Sequence, residues 1–251
     1  MTKKVNALIL AAGYGNRLGT KYNFLPKCLL RIGKTSLIKR IILNLIKLNF
    51  EEVTIATGYK SKSIQEELKD CQKKIKINYI HNKKYRSSGH GYTIYKCIEK
   101  DLGKKDLIII HGDLFFDLSI FKMCHSKIDR NLLLVDEKFK INTFDEMIIT
   151  TKNKKVKSIE KYHRNIRNIK GEIVGINFWN KKFLYQYINF SKLLFKKEGI
   201  QFNWEQILNR MLLNDEKLII NYKDIGNKEW ININYPKDYS YAKKIYKSLK
   251  E

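Results

Sequence analysis

Residues Ala7–Ala12 form a continuous apolar run that ends at the turn residues Gly13-Tyr14-Gly15. Such a run suits a strand covered on both faces, as in a parallel sheet. Leu37, Ile38, Ile41, Ile42, Leu45 and Ile46 then recur at helical spacing, which predicts a helix over Ser36–Asn49 with Ser36 as its cap. The alternation continues. Val53–Thr57 reads as a strand, Ser61–Asp70 as a helix opened by Ser61, and Ile75–Ile80 as a strand. Gly91–Lys100 reads as a helix and Leu107–Ile110 as an apolar strand ending at His111-Gly112-Asp113. A β-α-β-α-β-α-β rhythm predicts a doubly wound sheet.

The second half changes rhythm. Asn131–Val135, Met147–Thr151, Val156–Ile159 and Ile173–Phe178 are strand-like, and Lys152-Asn153-Lys154 reads as a hairpin turn. Helical spacing returns over Lys181–Asn189, Trp204–Leu213 and Pro236–Ser248, the last with proline in its first turn. No linker, repeat or low-complexity block divides the chain. The expectation is one α/β domain over residues 1–251 with a mixed sheet, and 251 residues at 43% apolar content suffice for its core.

Charge adds less than its size suggests. The net charge is +25, but Lys supplies 42 of the 50 basic residues and is spread from Lys3 to Lys250. Specific nucleic-acid readers lean on the arginine fork, and no Arg cluster is present. The composition resembles the drift of an A/T-rich coding sequence. The expectation is therefore a positive surface that attracts anionic substrates, with no nucleic-acid partner. Cys28, Cys71, Cys97 and Cys124 lie far apart without a C-x-x-C, which points to reduced thiols and a cytoplasmic protein. No apolar stretch is long enough for a membrane span.

The chemistry concentrates where the first strand ends. Leu10-Ala11-Ala12-Gly13-Tyr14-Gly15-Asn16-Arg17-Leu18 carries two glycines and an arginine, followed by Pro26-Lys27. Glycines let backbone amides approach phosphate oxygens, Arg17 can fork onto a triphosphate, and Lys27 can act as a point charge. A Rossmann dinucleotide fingerprint fits poorly: Leu18 holds the third glycine position, and the second strand ends Thr57-Gly58-Tyr59 without an acid. A P-loop fails because Cys28 stands where Gly33-Lys34-Thr35 would require the first glycine. The blandest reading is a plain βα turn with a chance arginine.

The run from Leu8 to Lys27 resembles the signature of the sugar-phosphate and phosphocholine nucleotidyltransferases: an apolar strand, A-[AG]-G-x-G-x-R-[LM], then P-K. Ile32-Gly33-Lys34 before a helix and Val53–Tyr59 are similar to the rest of that family's first half. The resemblance implies a Rossmann-like, GT-A-like nucleotidyltransferase fold. Its nucleotide half would be 1–112 and its acceptor half 113–251. Leu10, Ala11, Ala12, Gly13, Tyr14, Gly15, Asn16, Ser88 and Gly89 would bind nucleotide, and Arg17 and Lys27 would hold the phosphates at the reaction centre.

Asp113, at the end of a central strand, resembles the family's metal-binding aspartate and so joins Arg17 and Lys27 as a catalytic residue, with Mg²⁺ as cofactor. Glu229–Tyr239 resembles the closing motif, with Asn234 as second metal ligand where many relatives have Asp; a neutral carbonyl oxygen still coordinates Mg²⁺. By the same similarity, Lys161 would contact an acceptor phosphate and Glu172 an acceptor amine or hydroxyl. Trp179, Trp204 and Trp230 could line a cation pocket or sit in the core. His111 reads as a packing or base-contact residue. Ser87-Ser88-Gly89-His90-Gly91-Tyr92 matches neither the sugar nor the choline pattern, and leaves base and acceptor open.

The expected reaction transfers a nucleoside monophosphate, first choice CMP from CTP, to a small phosphate or phosphonate monoester such as phosphocholine. The alternatives are a sugar 1-phosphate acceptor and, from another class, a non-catalytic nucleotide- or nucleic-acid-binding protein. A homodimer remains open as an assembly.

Overall fold

The computed structural model describes residues 5–19, 25–125, 131–141 and 143–248. Four parallel strands form the first half of the sheet: β1 Asn6–Ala11, β4 Glu52–Thr57, β5 Lys76–His81 and β6 Leu107–His111. Their order is β5-β4-β1-β6, so the chain moves outward from β1 to β5 and then crosses back to place β6 on the other side of β1. Alternation along β1 explains the two covered faces. Ala7, Ile9 and Ala11 pack with α1 (Leu37–Lys47), α2 (Ser61–Glu67) and α4 (Leu118–His125). Leu8 instead packs with α3 (His90–Lys100), α5 (Lys181–Glu198) and α6 (Trp204–Asn214). The sheet is thus doubly wound, as its strand–helix rhythm predicts.

The second half extends the same sheet antiparallel. β11 (Ile169–Trp179) pairs with β6 through Ile176↔Ile110, and β9 (Met147–Lys152) and β10 (Lys155–Lys161) continue it. The β9–β10 turn is the expected hairpin, with Asn153 and Lys154 both at positive φ, the twist that two-residue hairpins favour. β8 (Leu132–Asp136) lies along the other edge of β11, and β12 (Asn221–Asp224) pairs with β8.

Several short elements escape sequence patterning. β2 (Arg31–Ile32) and β3 (Thr35–Ser36) form a small hairpin before α1, and β7 (Leu114–Phe116) pairs with β13 (Trp230–Asn232). A separate small core of Leu30, Ile32, Leu37, Phe115 and Ile233 packs on Ala242 and Ile245 of α7 (Pro236–Ser248). It clamps the C-terminal segment behind the ends of β1 and β6. Ser36 caps α1 as expected, its hydroxyl accepting from the Lys39 amide at 3.2 Å.

Candidate active site

Register sets the position of the site. Leu10 of β1 aligns with His111 of β6, and Ala11 with Thr57 of β4, so the loops after β1 and β6 leave the sheet at one edge. The strand order reverses between β1 and β6, and open α/β sheets bind ligands in the crevice that such a reversal creates. A cavity of about 980 Å³ occupies this place. Its wall includes Leu10, Ala11, Ala12, Gly13, Tyr14, Gly15, Ser88 and Gly89. The Asn16 side chain lies outside the described residues. Gly15 has φ of 82°, and a Cβ there would stand 3.0 Å from Lys27 Cγ, so backbone and neighbour both demand glycine.

The charged residues form one continuous chain of contacts. The β7–β13 ladder brings the C-terminal segment alongside Asp113, whose carbonyl accepts from the Ile233 amide at 3.0 Å. Lys27 Nζ then donates to Asn234 Oδ1 at 2.6 Å and stands 3.4 Å from Asp113 Oδ2. Arg17 donates to the same Asn234 Oδ1 at 3.0 Å and to Asp145 Oδ2 at 2.7 Å. Lys161 Nζ lies 2.5 Å from Asp145 Oδ1, and the Tyr235 hydroxyl donates to Asp145 as well. Burial lowers the Lys27 pKa and Asp113 opposes it. For Asp145 burial would raise the carboxyl, but Lys161, Tyr235 and Arg17 outweigh it and bring it down to about 2. Three cations thus converge on two carboxylates and an amide oxygen, an arrangement suited to phosphate groups.

The opposite wall is polar but nearly uncharged. Buried Asn82 donates to Ser88 Oγ at 3.0 Å and Thr93 Oγ1 at 2.9 Å, which fixes the segment leading into α3. Gly89 and Gly91 hydrogen-bond to the carbonyls of Ile200 and Phe202, and a Cβ on Gly89 would meet Phe202 O at 2.2 Å. This close approach sets His90 beside His111, with ring centroids 5.5 Å apart. Trp204 Nε1 donates to His111 Nε2 at 2.9 Å, and the Trp204 amide donates to His90 Nδ1 at 3.3 Å. Burial lowers the pKa of both imidazoles. Glu205, buried at 4% exposure, also lines the cavity, and burial pushes its carboxyl up to about 8.

Two sequence expectations need correction, the tryptophan-lined cation pocket and Glu172 as an acceptor contact. Trp179 and Trp204 are fully buried, pack on each other at 5.7 Å and do not line the cavity. Trp230 sits elsewhere, its Nε1 donating to Asp136 Oδ2 at 3.0 Å. Trp179 and Trp204 are core and support residues because β11 and α6 turn their indoles into the layer under α5. Glu172 is also absent from the cavity wall. β11 has strands on both edges here, so Glu172 pairs with Ile148 and Asp136. Burial and the neighbouring Glu146 and Asp136 carboxylates push its pKa up to about 8. Lys161 does reach the wall. Asp145, His90, Glu205, Arg86 and Asn232 line the cavity without having been singled out by sequence. The unmatched Ser87–Tyr92 segment was the one signal that pointed toward His90.

Among the described residues no group of three or more His, Cys, Asp or Glu gathers as a metal site. The oxygens of Asp113 and Asn234 nevertheless share one ammonium, and Asn232 Oδ1 is buried with no hydrogen bond. A carboxylate plus amide oxygens, with substrate phosphates to complete the shell, is the donor set that Mg²⁺ takes. The residues fit it.

Residues 7–130 match the family described as MobA-like NTP transferase domain. The chain is 26% identical over 244 residues to D-glycero-alpha-D-manno-heptose 1-phosphate guanylyltransferase of Aneurinibacillus thermoaerophilus, covering 96% of this chain and 97% of that protein. It is 32% identical over 125 residues to choline-phosphate cytidylyltransferase of Haemophilus influenzae, covering 49% of this chain and 51% of that protein. Against the bifunctional protein GlmU of Buchnera aphidicola it is 25% identical over 193 residues, 75% of this chain but only 40% of that protein. The solved CTP:phosphocholine cytidylyltransferase of Streptococcus pneumoniae superposes with a TM-score of 0.76 at 20% identity, covering 97% of this chain and 99% of that one.

Proposed function

Since the chain belongs to the nucleotidyltransferase family through its MobA-like NTP transferase domain, we propose that it transfers a nucleoside monophosphate to a small phosphate monoester. An ionised acceptor oxygen attacks the α-phosphorus of a nucleoside triphosphate. A new P–O bond forms as the bond to the β-phosphate oxygen breaks, and pyrophosphate leaves with that electron pair. The acceptor oxygen carries its charge at neutral pH, so no general base is required. The observation that carries this reading is the contact chain Arg17–Asn234–Lys27–Asp113 at the mouth of the glycine loop.

Within this reading, the Gly13–Gly15 backbone faces the triphosphate, and Arg17 and Lys27 neutralise charge as it moves to the leaving pyrophosphate. Lys161 stands on the acceptor side. Asp113, Asn234 and Asn232 would hold Mg²⁺. Bound there, it would draw charge from the phosphate oxygens.

The sequence expectation of cytidylyl transfer to a phosphocholine-type acceptor draws support from the choline-phosphate relative. A sugar 1-phosphate acceptor draws support from a specific observation: no tryptophan faces the cavity, so an indole cage for a quaternary ammonium is missing among the described residues. The full-length match to a heptose 1-phosphate guanylyltransferase points the same way.

The test is pyrophosphate release over four triphosphates, each paired with phosphocholine and with sugar 1-phosphates. At roughly 1.5–3 kcal/mol per charge-assisted hydrogen bond, Arg17→Ala and Lys27→Ala should each slow release by about ten- to a hundredfold. Asp113→Ala should abolish it. No release with any pair, or near-normal release by Asp113→Ala, overturns the proposal.

A further inference from the structure

We propose that His90, His111 and Glu205 form the acceptor-specificity wall of this site and take the hydroxyl groups of a polyol or sugar phosphate. The inference rests on the nucleotidyl-transfer reading and names the acceptor class that it leaves open.

Glu205 is the starting point. It is 4% exposed, it lines the cavity, and its Oε2 has no hydrogen bond. His90 Nε2 stands 3.5 Å from that oxygen, outside hydrogen-bonding geometry. A buried carboxyl oxygen left without a donor is costly, and at a ligand cavity the ligand is the natural partner.

The two imidazoles have fixed tautomers. His90 Nδ1 accepts the Trp204 amide, so its proton sits on Nε2, toward Glu205. His111 Nε2 accepts the Trp204 indole, so its proton sits on Nδ1. The wall therefore offers an N–H donor beside a carboxyl oxygen. A hydroxyl group uses both, donating to one and accepting from the other.

Two features favour hydroxyls over a cationic head group. Burial lowers the His90 pKa and pushes the Glu205 carboxyl up to about 8, and the hydrogen bonds from Trp204 leave each imidazole a single N–H, so this wall is mostly uncharged near neutral pH. Tyr14 and Tyr85 also line the cavity, but the Arg86 guanidinium lies over their rings at 5.7 and 5.8 Å. Those faces already carry a cation.

The wall also lies on the acceptor side. α6, which carries Glu205, is tied to β10 by the Ile159 amide donating to Asn209 Oδ1 at 2.9 Å. β10 ends at Lys161, another wall residue. An acceptor whose phosphate sits between Lys161 and the reaction centre thus has its remaining atoms available to His90 and Glu205.

The deciding experiment is equilibrium binding by calorimetry to the full chain, which needs no turnover. The probes are α-D-glucose 1-phosphate, myo-inositol 1-phosphate, glycerol 3-phosphate, phosphocholine, CTP and GTP. At least one polyol phosphate should bind about tenfold more tightly than phosphocholine. Glu205→Leu should weaken that polyol phosphate by at least about tenfold while phosphocholine and the triphosphates stay within about twofold. Glu205→Gln, which keeps the shape and both hydrogen-bonding roles, should retain most of the preference and controls for misfolding. Phosphocholine binding as tightly as every polyol phosphate overturns the inference. So does a Glu205→Leu chain that loses CTP or GTP instead, because the wall would then read the base. If the polyol preference holds but no pair releases pyrophosphate, the nucleotidyl-transfer reading fails and the binding wall stands.

Discussion

At the scale of single residues, Asp145 is the group that the proposed reaction must contend with. Its carboxylate occupies Arg17, Lys161 and the Tyr235 hydroxyl together. An incoming triphosphate wants Arg17 and is repelled by the same carboxylate. Asp145→Asn should therefore tighten triphosphate binding, by about tenfold if roughly 1.4 kcal/mol of repulsion is relieved. The variant should also turn over more slowly, because Arg17 loses the anchor that aims it across the crevice. Calorimetric titration with CTP or GTP, followed by steady-state rates, separates the two effects; weaker triphosphate binding would show that Asp145 organises the site more than it competes. Sequence could not have found this residue. Arg17, Lys27, Asp113 and Asn234 stand in short motifs with fixed spacing, and the structure gathers all four. Asp145 and Glu205 are isolated acids with no such spacing, and they acquire meaning only when the segment leading into β9 and α6 deliver them to the cavity.

At the scale of elements, the parallel half of the fold is legible because each strand and helix carries its own period. Ala7–Ala12 and Leu107–Ile110 read as continuous apolar runs, and Val53–Thr57 is buried throughout although Thr54 and Thr57 interrupt its apolar residues. The elements that escape are short or borrow stability from others. β7 and β13 span three residues each, and their mutual pairing, the small core beneath α7 and the packing of Leu114, Phe116 and Trp230 on the main core hold them. That core lets the C-terminal segment bring Asn232 and Asn234 to Asp113. The glycine loop is equally dependent on close fit, which gives a paired prediction. Gly15→Ala forces a left-handed backbone on a residue with a Cβ and presses it against Lys27 Cγ. It should cost about 1–2 kcal/mol in stability and reduce turnover by more than tenfold as Lys27 is displaced. Ser36→Ala should cost a similar amount, about 1 kcal/mol, through the lost cap of α1, yet leave turnover nearly unchanged. Urea unfolding and steady-state rates on the two variants check the contrast. Equal losses of activity would mean that Gly15 matters only for folding.

At the scale of the whole molecule, two opposed sets of buried ionisable groups give stability a characteristic pH dependence. Glu172 and Glu205 are raised to about 8, first by burial and for Glu172 also by Glu146 and Asp136. Between the ordinary carboxylate range and about pH 8 the folded chain therefore binds protons that the unfolded chain has released, and stability falls as pH rises. His90 and His111 work the other way. Burial holds both below the usual imidazole pKa, so the unfolded chain binds more protons below about pH 6.5 and stability there rises with pH. The two trends oppose each other below about pH 6.5, and only the carboxyl trend survives above it. Each carboxyl can contribute up to about 1.4 kcal/mol per pH unit in that upper window. The chain should thus lose roughly 1–3 kcal/mol between pH 6.5 and pH 8. Glu205→Gln removes one titrating carboxyl while keeping its shape, so its stability curve should be flatter and should exceed wild type most at pH 8. Urea midpoints at pH 5.5, 6.5, 7.25 and 8, at fixed salt to hold surface screening constant, provide the measurement. A wild-type midpoint that stays level or climbs from pH 6.5 to 8 would show that neither carboxyl is held protonated by the fold, and that the Glu205 wall meets its ligand as a charge.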